Sequence, residues 1–192
     1  MKTESMAKYV LRLALTLLAI TAVVALALAG INSVTAPEIE QLTAQKTQDA
    51  IKMVLMGADA PADAALEYTE IAFTDETGWV CVVYESAEGY AVQVKPTTGF
   101  DGEITMMVGI DLEGNVMGIS IISHTETAGL GAVAADTTPK GEAFRDQFVG
   151  MNGELKVTKD GGSVEAITGA TITSRAICDG INAALECVAN LG

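Results

Sequence analysis

Three cysteines, one histidine and eleven basic residues are all that 192 positions supply, and each shortage excludes a class of function. Cys81, Cys178 and Cys187 are odd in number and show no CxxC spacing, so they form neither a disulfide framework nor a zinc or iron–sulfur site. Cys178 and Cys187 are nine apart, on opposite faces of any helix they share. All three read as small apolar residues that belong in the interior. His124 has no second histidine for metal binding and no partner for a catalytic triad. No GxGxxG follows a strand pattern, and neither an internal repeat nor a low-complexity tract is present. The deficit of positive charge is uneven. Lys2, Lys8 and Arg12, with the single acid Glu4, precede residue 13; beyond it eight basic residues face 24 acidic ones, a net of −16. Such a surface repels nucleic acid and anionic headgroups. It suits basic partner proteins, or serves solubility alone.

What the chain has in excess is apolar residues, 49% of the total, with a mean hydropathy of +0.35. Much of this excess lies in Leu13–Ile31, a run without charge and close to the length that spans a bilayer as a helix. Basic residues precede the run, and Glu38 and Glu40 follow it. The positive-inside rule therefore places residues 1–12 in the cytoplasm and the rest outside. Ala27-Leu28-Ala29 also fits a signal-peptide cleavage site, but the run is longer than a usual signal core, which favours a retained single-pass anchor. Either way the remainder is exported.

In that remainder, residues 32–65 read as a stalk helix and linker. Pro37 suits the first turn of a helix over Ile39–Met56, whose polar centre (Gln45–Asp49) stands exposed. Gly57–Ala65, with Pro61, is a small-residue linker. Residues 66–192 read as the folded domain. Trp79–Tyr84 and Tyr90–Val94 form one hairpin, and Ile104–Ile110 and Val116–Ile122 another. Met106, Val108 and Ile110 alternate with Thr105, Met107 and Gly109, predicting a half-buried strand. Lys140–Val149 makes a short helix with Phe144 and Phe148 on one face. Leu155–Thr158 and Val164–Ile167 make short strands around Lys159-Asp160-Gly161-Gly162. A last helix over Ile172–Leu191 carries an apolar stripe of Ile177, Ile181, Ala184, Val188 and Leu191. Strands and helices do not alternate, so an α+β fold with antiparallel strands and a C-terminal helix is expected.

Chemistry points first to Glu165-Ala-Ile-Thr168-Gly169-Ala170-Thr171-Ile-Thr173-Ser174, where a strand gives way to the last helix. A helix N-terminus offers unpaired N–H groups and positive partial charge to a phosphate, with the Thr171 hydroxyl in the same turn. Capping of that helix by Thr168, Thr171 or Thr173 is the plainer reading. A second stretch, His124-Thr125-Glu126-Thr127-Ala128-Gly129-Leu130-Gly131, has glycines around a leucine and could lie against a planar ligand, or be an ordinary loop. The third, Gly99-Phe100-Asp101-Gly102-Glu103, reads as a turn with a buried aromatic.

Taken in order, these motifs resemble the FMN-binding domain shared by the G subunit of the Rnf complex and the C subunit of the sodium-pumping NADH:quinone reductase. That family has a Ser/Thr-Gly-Ala-Thr motif whose last threonine is joined to the FMN phosphate, here Thr171. Its His-x-Glu-Thr-Pro-Gly-Leu-Gly loop corresponds to His124–Gly131. Its Gly-aromatic-x-Gly turn and Val-Gly-Ile-Asp strand end correspond to Gly99–Gly102 and Val108–Asp111. The helix followed by Asn32, Thr35 and Pro37 is similar as well. Glu165 replaces an Asp, Ala128 a Pro and Phe144 a common Trp.

The resemblance implies covalent FMN on Thr171, attached after export by a flavin transferase using FAD and Mg²⁺. Thr168, Gly169, Ala170, Thr173 and Ser174 would shape the attachment turn. Glu126, Thr127, Gly129 and Leu130 would line the ring. The chain would be an electron relay in a membrane complex with other subunits, with no catalytic or metal-ligating residue of its own. Its compactness favours Rnf, which couples ferredoxin:NAD⁺ electron flow to ion transport, over the quinone reductase. An exported binding module without flavin is the reading of another class.

Overall fold

The structure, a computed structural model, describes residues 2–57, 66–71, 73 and 78–191. Apart from Gly57, the expected linker with Pro61 lies outside the described residues. The chain divides into two compact units, Met1–Ala44 and Gln45–Gly192.

The first unit lies within α1 (Lys2–Met56) and is helical over its described residues. Its leucines, isoleucines and valines between residues 13 and 31 are all exposed, with Leu26 73% accessible. None of the described residues covers this apolar surface, and the helix is long and apolar enough to cross a membrane. Thr16 and Thr21 turn their hydroxyls back onto carbonyls one turn earlier, which satisfies both donors within the helix. Pro37 lies inside α1 instead of starting a new helix. Its ring removes one backbone donor, but the helix continues through it.

The second unit is built on an antiparallel sheet in the order β1 (Tyr68–Ile71), β2 (Val80–Ser86), β3 (Tyr90–Val94), β4 (Ile104–Ile110) and β5 (Val116–His124). Both expected hairpins form. The edge strand β1 was not legible, because Tyr-Thr-Glu-Ile is largely exposed and carries no buried alternation. One face of the sheet packs against α3 (Thr171–Ala189): Val92, Val94, Met106 and Val108 meet Ile177, Ile181 and Ala184 in one cluster. Burying Ile177 and Ile181 completely contributes roughly 1.5–3 kcal/mol each.

The other face is covered too, so β4 is buried on both sides instead of half buried. Ala50, Ile51, Val54 and Leu55, at the end of α1, pack there on Ala91, Met107 and Ile122. Of the expected stalk helix Ile39–Met56, residues 39–49 are exposed apart from half-buried Thr47. Its last turns are core, drawn in by apolar residues spaced three and four apart. Gly109 makes the contact possible: a Cβ there would run into the Val54 backbone and come within 2.8 Å of the Val54 Cβ.

Beyond the sheet, a 3-10 turn (Gly131–Ala135) leads to α2 (Pro139–Asp146), capped by Thr138 and started by Pro139. Phe144 and Phe148 are buried edge to face, 5.3 Å apart. The expected strands around Lys159 reduce to one bridge, Val157–Val164, and a 3-10 turn over Thr158–Asp160. Two glycines after Asp160 close the chain too tightly for a ladder. Cys178 and Cys187 are both buried although they lie on opposite faces, because α3 is enclosed on more than one side. Cys81 is exposed on β2, contrary to expectation, since alternation turns it outward from buried Val80.

Candidate functional site

The three motifs converge on one carboxylate. Glu126 is only 8% exposed, and a buried charge requires donors. Its Oε1 accepts from the backbone N–H of Phe100 at 2.8 Å and of Asp101 at 3.4 Å. Its Oε2 accepts from the Thr173 hydroxyl at 2.7 Å. The glycines around it are explained by this approach. A Cβ on Gly99 would lie 2.6 Å from Oε1, and one on Gly131 would meet Oε2 and, at 2.5 Å, the Thr173 hydroxyl. A second tie crosses the same gap: Thr127 donates to Asp101 Oδ2 at 2.6 Å, and Thr125 to the Asp101 carbonyl at 2.9 Å. Arg145 donates to the carbonyls of Ala134 and Asp136, which fixes the chain after Gly131 against α2.

The Thr168–Thr171 turn is braced from inside. Ser174 is fully buried; its hydroxyl donates to the Ala170 carbonyl and accepts from the Ile167 N–H, both at 3.0 Å. Glu165 is exposed and held through its backbone by Gln147. Ala170 is the residue before α3 and supplies no side-chain cap, so none of the three threonines caps the helix. The first N–H groups of α3 thus lack the side-chain acceptor that usually serves them. Thr171 instead presents its hydroxyl to Lys159, whose Nζ donates to Oγ1 at 3.1 Å. The turn bearing Lys159 is stapled to α3 by Asp160 and Arg175, with N–O distances of 2.6 and 2.8 Å. That ion pair holds the Asp160 carboxyl below its ordinary value, chiefly through the Arg175 hydrogen bond.

Between this clasp of residues 99–101 and 125–131 around Glu126 and the Thr168–Thr171 turn lies a cavity of about 310 Å³, at the small end of the range for ligand sites. Of the expected site residues, Glu126, Thr127, Leu130, Gly169, Ala170, Thr171 and Thr173 border it. Thr168 and Gly129 are exposed and outside it, and Ser174 lies beneath it. Glu126 borders the cavity while its oxygens hold three donors from the surrounding chain. Phe100, Gly131, Lys159 and Ile172 complete the lining. Phe100 is 64% exposed at the mouth, not buried in its turn. Sequence reasoning misses Lys159, because nothing local marks a lysine twelve residues ahead of Thr171 as its neighbour.

The arrangement suits a flat, amphipathic molecule with an anionic end. Exposed Phe100, Leu130 and Ile172 give apolar surface at the mouth. The hydroxyl, the ammonium and the helix N-terminus gather beside it. A side chain at residue 169, where φ is +81°, would press on Leu130 at 3.1 Å and narrow the wall. The residues present fit FMN in this respect.

Residues 99–186 match the FMN-binding domain family. Across 96% of its length the chain is 38% identical to the G subunit of the Na⁺-translocating ferredoxin:NAD⁺ oxidoreductase complex of Acetobacterium woodii, covering 94% of that protein. It is 32% identical to the G subunit of an ion-translocating oxidoreductase complex of Methanosarcina acetivorans, over 94% and 95% of the two chains. Against the G subunit of the proton-translocating ferredoxin:NAD⁺ oxidoreductase complex of Clostridium ljungdahlii it is 29% identical, over 83% and 80%. With its N-terminal apolar helix, five-stranded antiparallel sheet and C-terminal helix, the chain belongs to the G subunits of Rnf-type ion-translocating ferredoxin:NAD⁺ oxidoreductase complexes, which are built on an FMN-binding domain.

Proposed function

We propose that this subunit carries FMN as a phosphoester on Thr171, on the outer side of the membrane, and relays electrons through it. The observation that carries the reading is the Thr171 hydroxyl itself, at the uncapped start of α3, beside an ammonium and facing an apolar-mouthed cavity. FMN supplies the one-electron chemistry when bound. The chain does the rest. Thr171 tethers, Gly169 and Ala170 keep the wall thin, and Thr173 and Glu126 hold the cavity's frame. Leu130, Phe100 and Ile172 shield one side of a planar group from water. A tether removes the loss of cofactor to a dilute exterior, which non-covalent binding would risk.

Topology follows from charge. Lys8 and Arg12 flank the apolar run on one side, and Glu38 and Glu40 on the other, so residues 1–12 face the cytoplasm and residue 32 onward lies outside. Residues 13–31 form the span. The helix carries no ionisable group there and so offers no ion path by itself; it anchors and docks against integral subunits. The acidic exterior leaves nucleic acid out of account. Maturation needs a flavin transferase with FAD and Mg²⁺.

Co-expression with such a transferase, followed by denaturing gels viewed by flavin fluorescence, tests the reading. A fluorescent band that disappears in Thr171→Ala supports it. A band of equal brightness in that variant, or a dark wild-type band beside an active transferase, overturns it.

A further inference from the structure

Flavin phosphate is anionic, and this chain is an acidic environment for it. The formal charge is −14, and Glu126 stands in the cavity wall. Among the described residues lining the cavity, Lys159 is the one basic side chain. Arg175, a guanidinium on α3 one turn beyond Thr171, is engaged by both oxygens of Asp160. The Asp160–Arg175 staple has a geometric consequence. It fixes the Thr158–Asp160 turn beside the first turn of α3, and Lys159 reaches back from it to Oγ1. The two glycines that follow are required by that tight return. Gly161 has φ +86°, and a Cβ on Gly162 would collide with the Lys156 carbonyl.

We propose that Lys159 is the phosphate-anchoring residue of this site, pairing with Thr171 Oγ1 before attachment and with the phosphodiester afterwards. The inference rests on Thr171 being the tether. Attachment forms the bond from Oγ1 to the flavin phosphorus and breaks the pyrophosphate bond of the flavin dinucleotide donor. The nucleoside monophosphate leaves, and the hydroxyl proton passes to a base of the transferase. Donation from Nζ stabilises the negative charge that grows on Oγ1 and the phosphoryl oxygens. Afterwards the same ammonium neutralises the diester, which would otherwise sit uncompensated beside an acidic surface.

The test uses the full-length chain in detergent with purified transferase, FAD and Mg²⁺. Two quantities are read: the initial rate of covalent flavin incorporation, and the phosphorus NMR resonance of the attached diester. Lys159→Ala should load about tenfold more slowly, the scale of a lost charge-assisted hydrogen bond. Its diester resonance should shift, while Lys159→Arg should keep most of the rate and the wild-type resonance. Lys159 is exposed, so thermal unfolding should be unchanged in both variants. An unchanged rate or an unchanged resonance in Lys159→Ala overturns the proposal while leaving the tether intact. A wild-type chain that takes no flavin at Thr171 overturns the tether, and this inference with it.

Discussion

The Glu126 clasp and the Thr168–Thr171 turn both border the cavity and use their polar groups in opposite ways. In the clasp, Glu126 receives three donors and Asp101 two, and the surrounding glycines let the backbone close on them. In the Thr168–Thr171 turn, Ser174 satisfies the Ile167 N–H and the Ala170 carbonyl, while Thr171 borders the cavity with its hydroxyl held by Lys159. A carboxylate with three internal donors holds shape. A hydroxyl with one long-chain partner can react. On the proposed reading, the chemistry of the site belongs to the side whose hydrogen bonds are incomplete.

Substitutions on the two sides should separate these roles. Thr171→Ala should abolish covalent flavin while leaving thermal stability within about 0.5 kcal/mol of wild type. Glu126→Ala should do the reverse. It strands two backbone donors and one hydroxyl, costing about 3 kcal/mol in denaturant unfolding, and any flavin taken up should still map to Thr171. Thr173→Ala removes one of the three bonds to Glu126, with a loss of about 1 kcal/mol and most of the flavin retained. Similar flavin loss in the Thr171 and Thr173 variants would erase the contrast.

Smaller effects sharpen it. Burial pushes the Cys178 thiol up to about 12, so it stays protonated and shielded at neutral pH. Native protein should take up one alkylating label, at Cys81, and three once unfolded; labelling of Cys178 in the native state would contradict the packing of α3. The Asp160 carboxyl is held low by Arg175, so its staple is complete above the ordinary aspartate value of 3.8 and weakens only as pH falls through the lowered value. Flavin incorporation should therefore show no step from this pair between about pH 5 and 8. A step there that Asp160→Asn removes would place its titration elsewhere.

How much of this was legible depended on distance along the chain. The bounds of β3 and β4 can be read directly, because Tyr90–Val94 and Ile104–Ile110 are β-rich runs between turns, a local signal. The role of Glu126 cannot, because its donors lie 25, 26 and 47 residues away. The last turns of α1 resemble stalk in sequence, since only the folded sheet reveals that Gly109 makes room for Val54. The Gly99–Glu103 stretch reads as a turn with a buried aromatic, yet Phe100 is exposed at the cavity. The Thr-Gly-Ala-Thr turn is recognisable from its residues; the lysine opposite it is not.

Peptide mass mapping of the wild-type chain after co-expression with a flavin transferase decides whether Thr171 is the tether. The peptide containing Thr171 should gain one FMN less one water, with fragment ions placing the addition on that residue. An addition at Thr168 or Thr173, or none beside a transferase shown to be active, would contradict it.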